Sequence, residues 1–229
     1  MTRHIIVGST GDIGSAIHAT LSESAEIWSF SRSSEPKHDG HHYFLDLSVP
    51  FDTSVVEDIF KDIDEIESLI WCPGETLFGM LEDTSLKKVD AQYNISIRSL
   101  ITFVNVLLPK LKRSRDGRII IITSVWGRHG ASYESAYAAM KGAQESLIKS
   151  LGKELADTSV TVNGIAPGVV YGNMTSDLSE SDQAFLLQEL PQSRFVAQEE
   201  IVHAVEYLLA PAARSVTGEI MNINGGWYT

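Results

Sequence analysis

The sequence predicts an α/β fold in which helices cover both faces of a parallel β-sheet. Along its 229 residues, short apolar runs rich in β-branched residues alternate with longer stretches of helical periodicity, which is the pattern of repeated strand–helix units. The first run leads directly into a glycine-rich turn and then a helical stretch, as expected where such a sheet begins. No internal repeat, low-complexity tract or linker interrupts this pattern. We therefore predict one Rossmann-type, doubly wound domain over residues 1–229.

Seven runs have the length and the β-branched content of buried strands. They cover residues 4–7, 26–30, 42–45, 68–72, 118–123, 160–165 and 219–223. Helical stretches lie between them, and the two longest cover residues 89–111 and 132–155. The polar segment 31–40 resembles a loop and is too short to separate two domains.

Composition limits the partners and the cellular compartment. The formal net charge of −12 argues against nucleic acid or an anionic membrane as a partner. No apolar run approaches the ~18 residues of a membrane span, and the first strand begins too early to follow a signal peptide. The single cysteine, Cys72, excludes an internal disulfide and suits a reducing compartment. We expect a cytoplasmic protein, and we expect no metal site.

The turn after the first strand has the composition of a phosphate-binding loop. Glycine lets the backbone turn tightly and approach a pyrophosphate, which then lies at the N-terminus of the following helix. We therefore expect a dinucleotide to bind along this loop, which consists of Gly8, Ser9, Thr10, Gly11, Asp12, Ile13 and Gly14.

A serine, a tyrosine and a lysine farther along have the spacing of a proton-transfer site. Ser124 ends a β-branched strand, and Tyr137 and Lys141 follow on one helix face, one turn apart. A phenol ordinarily has a pKa near ~10, and an ammonium group beside it lowers that pKa toward neutrality. A tyrosine adjusted in this way can pass a proton to or from a carbonyl oxygen.

These motifs resemble those of the short-chain dehydrogenase/reductase family, and the resemblance runs from residue 3 to residue 227. It implies NAD(P)-dependent hydride transfer to a carbonyl carbon by a tetrad of Asn94, Ser124, Tyr137 and Lys141. In that family Ser124 would hydrogen-bond the carbonyl oxygen and Tyr137 would give it a proton. Lys141 would hold the nicotinamide ribose and lower the pKa of Tyr137, while Asn94 would anchor a water that returns the proton.

The resemblance also assigns other cofactor contacts. Asp46 and Leu47 match the residues that meet the adenine in that family, and Gly74 matches the strand end that the adenosine ribose approaches. The nicotinamide side corresponds to a strand and loop that contain Pro167, Gly168 and Val170.

The end of the second strand predicts the choice between the two nicotinamide cofactors. Ser31 and Arg32 stand where an acidic residue would bond a ribose 2′-hydroxyl. A guanidinium with flanking hydroxyls suits a 2′-phosphate instead. We therefore expect NADP(H) to be favoured over NAD(H); the alternative is that Arg32 is a solvated loop cation.

Three positions depart from the common pattern of the family. Asp12 replaces a loop glycine, Cys72 replaces an asparagine of the cofactor site, and Gly172 stands where many relatives have a nicotinamide-binding threonine. We expect Asp12 to turn outward or to cap the following helix, with capping preferred. These departures leave open a regulator or scaffold that binds NADP without catalysis, although the complete tetrad favours an enzyme.

The substrate pocket is expected between residues 126–133 and a polar, acidic lid at residues 170–193. The candidate substrate contacts are Trp126, His129 and Tyr133, although aromatic residues in such a place more often only pack. The acidic residues of the lid are Asp177, Glu180, Asp182 and Glu189.

Two branches of the family compete as the closest resemblance. The whole chain resembles 3-oxoacyl-acyl carrier protein reductases, which dock an acidic carrier through arginines; Arg115 matches one docking position, and Thr158 stands at the other. Residues 126–144 and 224–227 resemble the 5-aminopentanone reductases that act on a modified lysine of elongation factor P. The amine of that ketone would suit an acidic lid. A small-molecule ketone is the remaining alternative.

The family resemblance further implies a homotetramer or homodimer in which the two long helices pair across two-fold axes. Leu147, Ile148 and Leu151 have the spacing of such an interface. They have equally the spacing of residues that pack on the chain's own sheet.

Overall fold

A computed structural model describes residues 2–176 and 178–228 of the protein. The strands of this part of the chain are β1 (Arg3–Val7), β2 (Glu26–Ser31), β3 (His41–Phe44), β4 (Ser68–Trp71), β5 (Arg118–Ile122), β6 (Thr161–Pro167) and β7 (Ile220–Ile223). They form one parallel sheet in the order β3-β2-β1-β4-β5-β6-β7. The predicted single-domain, doubly wound Rossmann-type fold is confirmed.

Helices occupy the connections between the strands, except for the short connection between β2 and β3. They are α1 (Asp12–Leu21), α2 (Ser54–Phe60), α3 (Leu86–Tyr93), α4 (Ser99–Leu111), α5 (Trp126–His129), α6 (Ser135–Glu154), α7 (Asn173–Ser176), α8 (Glu180–Glu189) and α9 (Gln198–Leu209). In the part of the chain that the structure describes, no helix has both the length and the apolar character needed to cross a membrane.

Apolar side chains of the strands enter two cores, one on each face of the sheet. Ile5 and Val7 of β1 are buried with Phe103 of α4, whereas Ile6 between them is buried with Ile17 of α1. Successive side chains of a strand point to opposite faces. Because helices cover both faces of the sheet, the side chains on both faces of the central strands are buried, and nearly all of them are apolar. This explains the continuous apolar runs in the sequence.

The order of the strands opens a crevice at one edge of the sheet. β1 pairs in parallel with β4, with Val7 opposite Trp71, while β2 and β3 extend the sheet on one side and β5 to β7 on the other. Connections that leave β1 and β4 run to opposite faces at this point, and such a switch point is where α/β folds bind ligands.

The predicted strands agree with the observed ones to within two residues at each end. The predicted helix 89–111 is divided in two, because a π-helical turn at Asn94–Arg98 separates α3 from α4. The helix expected at 132–155 begins only at Ser135. Tyr133 has a φ of 66°, which a right-handed helix does not accommodate.

Candidate active site

The glycine loop turns tightly at the C-terminal end of β1. Gly8 has a φ of 81°, and its N–H donates to the Phe30 carbonyl oxygen at 2.8 Å. A β-carbon on Gly14 would overlap the Gly8 carbonyl oxygen, so the loop packs against α1 only because glycine is there. Gly11 is the N-cap of α1 and provides no capping side chain. The first-turn N–H groups are thereby left for an anion, and the loop fits a pyrophosphate.

Asp12 does not cap α1, so the preferred expectation for this residue is wrong. It lies in the first turn of the helix, one residue after the N-cap position. Its side chain turns outward, where the carboxylate accepts hydrogen bonds from the Asn173 N–H at 2.7 Å and from Asn173 Nδ2 at 2.8 Å. The loop is therefore linked to the segment that was predicted to be a lid.

A cleft with a volume of about 260 Å³ extends from the glycine loop over the ends of β2 and β4. Arg32 lies at its mouth, where Nη1 is 3.0 Å from the Glu75 carboxylate and both side chains are more than half exposed. Asp46 accepts a hydrogen bond from the Ser48 N–H at 2.9 Å; this bond and the Ser48 hydroxyl lower the pKa of Asp46, and nearby Arg32 adds to the effect. Predicted cofactor residues that line the cleft are Gly8, Thr10, Gly11, Ser31, Arg32, Asp46, Leu47, Cys72 and Gly74.

Cys72 and Gly74 form the cleft wall beside the catalytic candidates. Burial raises the pKa of the Cys72 thiol to about 12, so the thiol stays protonated and neutral. A β-carbon on Gly74 would lie 3.2 Å from Lys141 Nζ and 3.9 Å from the Tyr137 hydroxyl. A side chain at this position would fill the space in front of both groups, and glycine leaves that space free for a ribose.

Ser124, Tyr137 and Lys141 come together at the C-terminal edge of the sheet. Ser124 follows β5, whereas Tyr137 and Lys141 lie in the first two turns of α6. The buried Lys141 Nζ donates to the Ile122 carbonyl oxygen at 2.9 Å and to the Pro73 carbonyl oxygen at 3.4 Å. It lies 5.7 Å from the centroid of the Tyr137 ring. The arrangement joins a hydroxyl, a phenol and an ammonium group beside the cleft.

Burial dominates the protonation of these groups. It lowers the pKa of Lys141 to about 8. It also raises the pKa of Tyr137 to about 12, against an opposing hydrogen bond from Ser124 and with a further increase from the Glu134 charge. The expected lowering of the Tyr137 pKa by Lys141 is therefore not found. Desolvation of the phenol is the largest effect on its pKa, and burial also disfavours the charged form of Lys141. Tyr137 holds its proton at neutral pH.

Asn94 begins the π-helical turn and faces the cleft wall. Its Nδ2 donates to the Ser48 carbonyl oxygen at 3.0 Å. Gln144 of α6 donates to the Ser96 carbonyl oxygen at 2.9 Å and so fixes the turn against that helix. π-helical turns are frequent at functional sites; the proton-relay role of Asn94 stays a prediction.

The wall expected to face nicotinamide follows the end of β6. Pro167 ends the strand, the Gly168 N–H donates to the Ile223 carbonyl oxygen at 2.9 Å, and Val170 forms a parallel bridge with Val196. The backbone that leads into the lid is thus held by β7 and by the chain that precedes α9.

Trp126 and His129 belong to an aromatic cluster that they form with Trp227 and Tyr228. The ring centroids of its contacting members are between 4.6 and 5.3 Å apart. The two C-terminal members were not predicted from the sequence, although the Gly225-Gly226 pair before them was a signal of a turn; both glycines have a positive φ, and the chain folds back there.

Glu134 is a further site residue that the sequence analysis missed. It is half-buried, and burial raises its pKa against an opposing hydrogen bond with Trp126. Its charge also acts on Tyr137, so the carboxylate adjoins both the aromatic cluster and the tyrosine. Tyr133 instead stacks on the exposed Phe78, with ring centroids 5.4 Å apart.

The predicted lid at residues 170–193 contains α7 and α8. Glu180 and Asp182 lie in the first turn of α8, and with Glu189 they present exposed carboxylates. Asp177 lies outside the described residues. The described part of this segment is therefore polar and acidic, as expected.

The chain is similar over most of its length to known proteins of one family. A family model described as enoyl-(acyl carrier protein) reductase matches residues 49–228. The uncharacterized oxidoreductase YmfI of Bacillus subtilis is 34% identical over 166 residues, which is 72% of this chain and 69% of that protein. The 3-oxoacyl-[acyl-carrier-protein] reductase FabG of Escherichia coli is 29% identical over 238 aligned positions, which cover 98% of this chain and 96% of that protein.

Solved structures superpose on the whole fold. The structure of Cj0485 dehydrogenase has a TM-score of 0.90 at 26% identity and covers 99% of this chain and 94% of its own. The RhlG/NADP active-site complex of Pseudomonas aeruginosa has a TM-score of 0.91 at 23% identity, over 100% of this chain and 96% of its own. The protein is an NAD(P)-dependent oxidoreductase of CH–OH and C=O groups, and the chain belongs to the short-chain dehydrogenase/reductase family.

Proposed function

We propose that this protein is an NADPH-dependent reductase that transfers hydride to a ketone. One observation carries the proposal: Ser124, Tyr137 and Lys141 converge beside Gly74, at one end of a cleft that has Arg32 at its mouth. An extended dinucleotide can then reach from a 2′-phosphate site at Arg32, over the glycine loop, to the proton donor.

Residues of the chain stabilise the negative charge that develops on the carbonyl oxygen and then neutralise it with a proton. NADPH, when bound, supplies the hydride to the carbonyl carbon. The Ser124 hydroxyl donates a hydrogen bond to the oxygen, and Tyr137, which is protonated at neutral pH because its pKa is raised to about 12, donates the proton. The buried ammonium of Lys141 then stabilises the tyrosinate.

The preference for NADPH can be tested by fluorescence titration, using energy transfer from the four tryptophans. We expect NADPH to bind about tenfold or more tightly than NADH, because the Arg32 guanidinium can form charge-assisted bonds to the 2′-phosphate. Arg32→Ala should remove the difference, whereas Arg115→Ala, a remote arginine, should not. Equal affinities in the unmodified protein would contradict the NADPH preference.

For the substrate we propose a ketone that carries a terminal amine, the 5-aminopentanone-modified lysine of elongation factor P. The half-buried Glu134 carboxylate beside Tyr137 supports this choice, as do the rings of the adjoining aromatic cluster. Carboxylates and aromatic faces both attract a primary ammonium group. Because translation takes place in the cytoplasm, this substrate is in keeping with the cytoplasmic location that we propose for the enzyme.

Turnover of the ketone-bearing translation factor tests this substrate. Mass spectrometry should show the gain of two hydrogens with NADPH, and acetoacetyl thioesters should be poor substrates. Glu134→Gln should lower kcat/KM for the amine-bearing ketone by about tenfold, because it removes the opposite charge. Tyr137→Phe should abolish turnover and keep NADPH binding. Strong turnover of acetoacetyl thioesters with none of the modified factor would refute the proposed substrate.

The second candidate is reduction of a 3-oxoacyl group on acyl carrier protein. Similarity to FabG over nearly the whole chain favours it. Arg115, which matches a docking arginine, precedes β5, whereas Ser124 follows it, so the two lie at opposite ends of that strand. The net charge of −12 also opposes the docking of an acidic carrier. The translation-factor ketone therefore ranks first.

We further propose that the chain assembles as a homotetramer or homodimer through the outer faces of α4 and α6. Leu147, Ile148 and Leu151 pack on the chain's own core, so an interface would use other residues, such as Ile101, which is 38% exposed. Light scattering in solution tests this assembly, and a monomer at micromolar concentration would contradict it.

A further inference from the structure

Two of the three departures noted in the sequence meet in the structure. The Asp12 carboxylate accepts hydrogen bonds from the backbone N–H and the side-chain amide of Asn173, at 2.7 and 2.8 Å. Asn173 is the first residue of α7, in the candidate lid, and lies 161 positions along the chain from Asp12. The first turn of α1 is thus tied directly to the first turn of the lid.

The absence of a side chain at position 172 is a requirement of this contact. A β-carbon on Gly172 would overlap the Asp12 carboxylate, and the φ of Gly172 lies outside the left-handed region. The backbone would therefore accept alanine, and only the carboxylate excludes it. The position of the Asp12 carboxylate therefore requires glycine at position 172.

We propose that Asp12 is a positioning residue that holds the lid beside the glycine loop and so replaces a side chain that position 172 does not have. The lid backbone is fixed before this point by the bridge between Val170 and Val196. The bonds from Asn173 fix it on the far side, at the end of α1 where the glycine loop fits a pyrophosphate. Each carboxylate oxygen of Asp12 accepts one of these two hydrogen bonds, so the negative charge is directed away from that anion site.

This role makes predictions that a purely structural role would not. Loss of the contact should loosen the lid and raise KM for a ketone, because substrate closure depends on the lid. It should not weaken NADPH binding, because removal of a carboxylate beside an anion site favours the anion. The inference does not depend on which ketone is the natural substrate.

The decisive experiment combines Gly172→Ala and Asp12→Gly in a double-mutant cycle. Hydrogen–deuterium exchange of the backbone amides of residues 172–176 reports the contact without any need for catalysis. We expect each single variant to exchange about tenfold faster than the unmodified protein, and the double variant to exchange no faster than Asp12→Gly alone. Independent effects that multiply to about a hundredfold, or unchanged exchange in Asp12→Gly, would overturn the proposal.

Three further measurements keep the test independent of folding defects. Asn173→Ala removes only the side-chain bond and should speed exchange by about threefold, an intermediate effect. In energy-transfer titrations all of these variants should bind NADPH at least as tightly as the unmodified protein. With ethyl acetoacetate as a probe ketone, KM should rise more than kcat falls. Weaker NADPH binding in Asp12→Gly would show general damage to the loop and would contradict the positioning role.

Discussion

At the residue scale, the site depends on two charged groups, one of them buried and the other exposed at the mouth of the cleft. Lys141 is almost fully buried, and its Nζ is satisfied by backbone carbonyl oxygens. Arg32 faces Glu75 at the cleft mouth, where the Glu75 carboxylate would compete with a 2′-phosphate for the guanidinium. The burial of the Lys141 ammonium costs stability, which a role in catalysis would explain.

We expect Glu75→Gln to strengthen NADPH binding by about threefold to tenfold and to leave NADH binding unchanged. The Arg32–Glu75 ion pair is exposed and contributes little to stability, but its carboxylate competes with and repels a 2′-phosphate. Titration at low ionic strength measures the change. Glu23→Gln removes the same charge at an exposed site after α1 and serves as the control. An equal gain in that variant would attribute the effect to net charge alone.

We expect Lys141→Met to abolish turnover and to stabilise the fold at neutral pH. Folding lowers the Lys141 pKa from 10.5 to about 8, so the unfolded state binds more protons between these pH values and stability rises with pH across that window. Below about pH 8 the buried ammonium exerts its full cost. Its removal should raise the free energy of unfolding by about 1–2 kcal/mol at pH 7, less than the pKa shift alone implies, because the Ile122 carbonyl loses a donor.

Urea denaturation of the Lys141→Met variant at pH 7 and pH 10 measures this change. The gain should shrink toward pH 10, where the native lysine is already neutral in the folded state. A variant that is less stable than the unmodified protein at both pH values would show that the lysine supports the fold.

At the scale of elements, strands were more predictable than the features that shape the site. Periodicity located all the strands of the described chain to within two residues, because a sheet buried on both faces marks its strands by composition. The π-helical turn was not predictable, since the bond that fixes it joins Gln144 of α6 to Ser96. The same holds for Asp12 and Asn173, which only the folded chain brings together. Sequence patterns predict local structure, whereas the site depends on contacts between residues that are far apart in the sequence.

Close packing of α5 against α6 yields a prediction at this scale. A β-carbon on Gly127 would lie 2.8 Å from the Lys141 carbonyl carbon and 2.9 Å from its carbonyl oxygen. Gly127→Ala should therefore separate the two helices, lower the free energy of unfolding by about 1–3 kcal/mol, and reduce kcat/KM by moving Ser124 relative to Tyr137. Thermal denaturation and steady-state kinetics measure both effects. Ser135→Ala, at the exposed start of α6, should change neither, and a Gly127→Ala variant that matched it would refute the packing argument.

At the scale of the whole molecule, the cleft lies where the two halves of the sheet meet. β1 to β3 supply the glycine loop and Arg32, whereas β4 to β6 supply Gly74, Ser124 and the wall after Pro167. A dinucleotide that spans the cleft contacts both halves. Its binding energy should therefore add to the global free energy of unfolding, because separation of either half would destroy the site.

The thermal midpoint should consequently distinguish the two cofactors. At a free NADPH concentration of about 100 times its Kd, mass action adds about 2.7 kcal/mol to the free energy of unfolding, which for a domain of this size raises Tm by about 5–10 °C. NADH at the same concentration should give a smaller rise, because the exposed guanidinium of Arg32 has no 2′-phosphate to bind. Differential scanning fluorimetry at fixed protein concentration measures both shifts. Arg32→Ala should make the Tm shifts of the two cofactors equal. Equal shifts in the unmodified protein would show that Arg32 is a solvated surface cation that does not bind the 2′-phosphate.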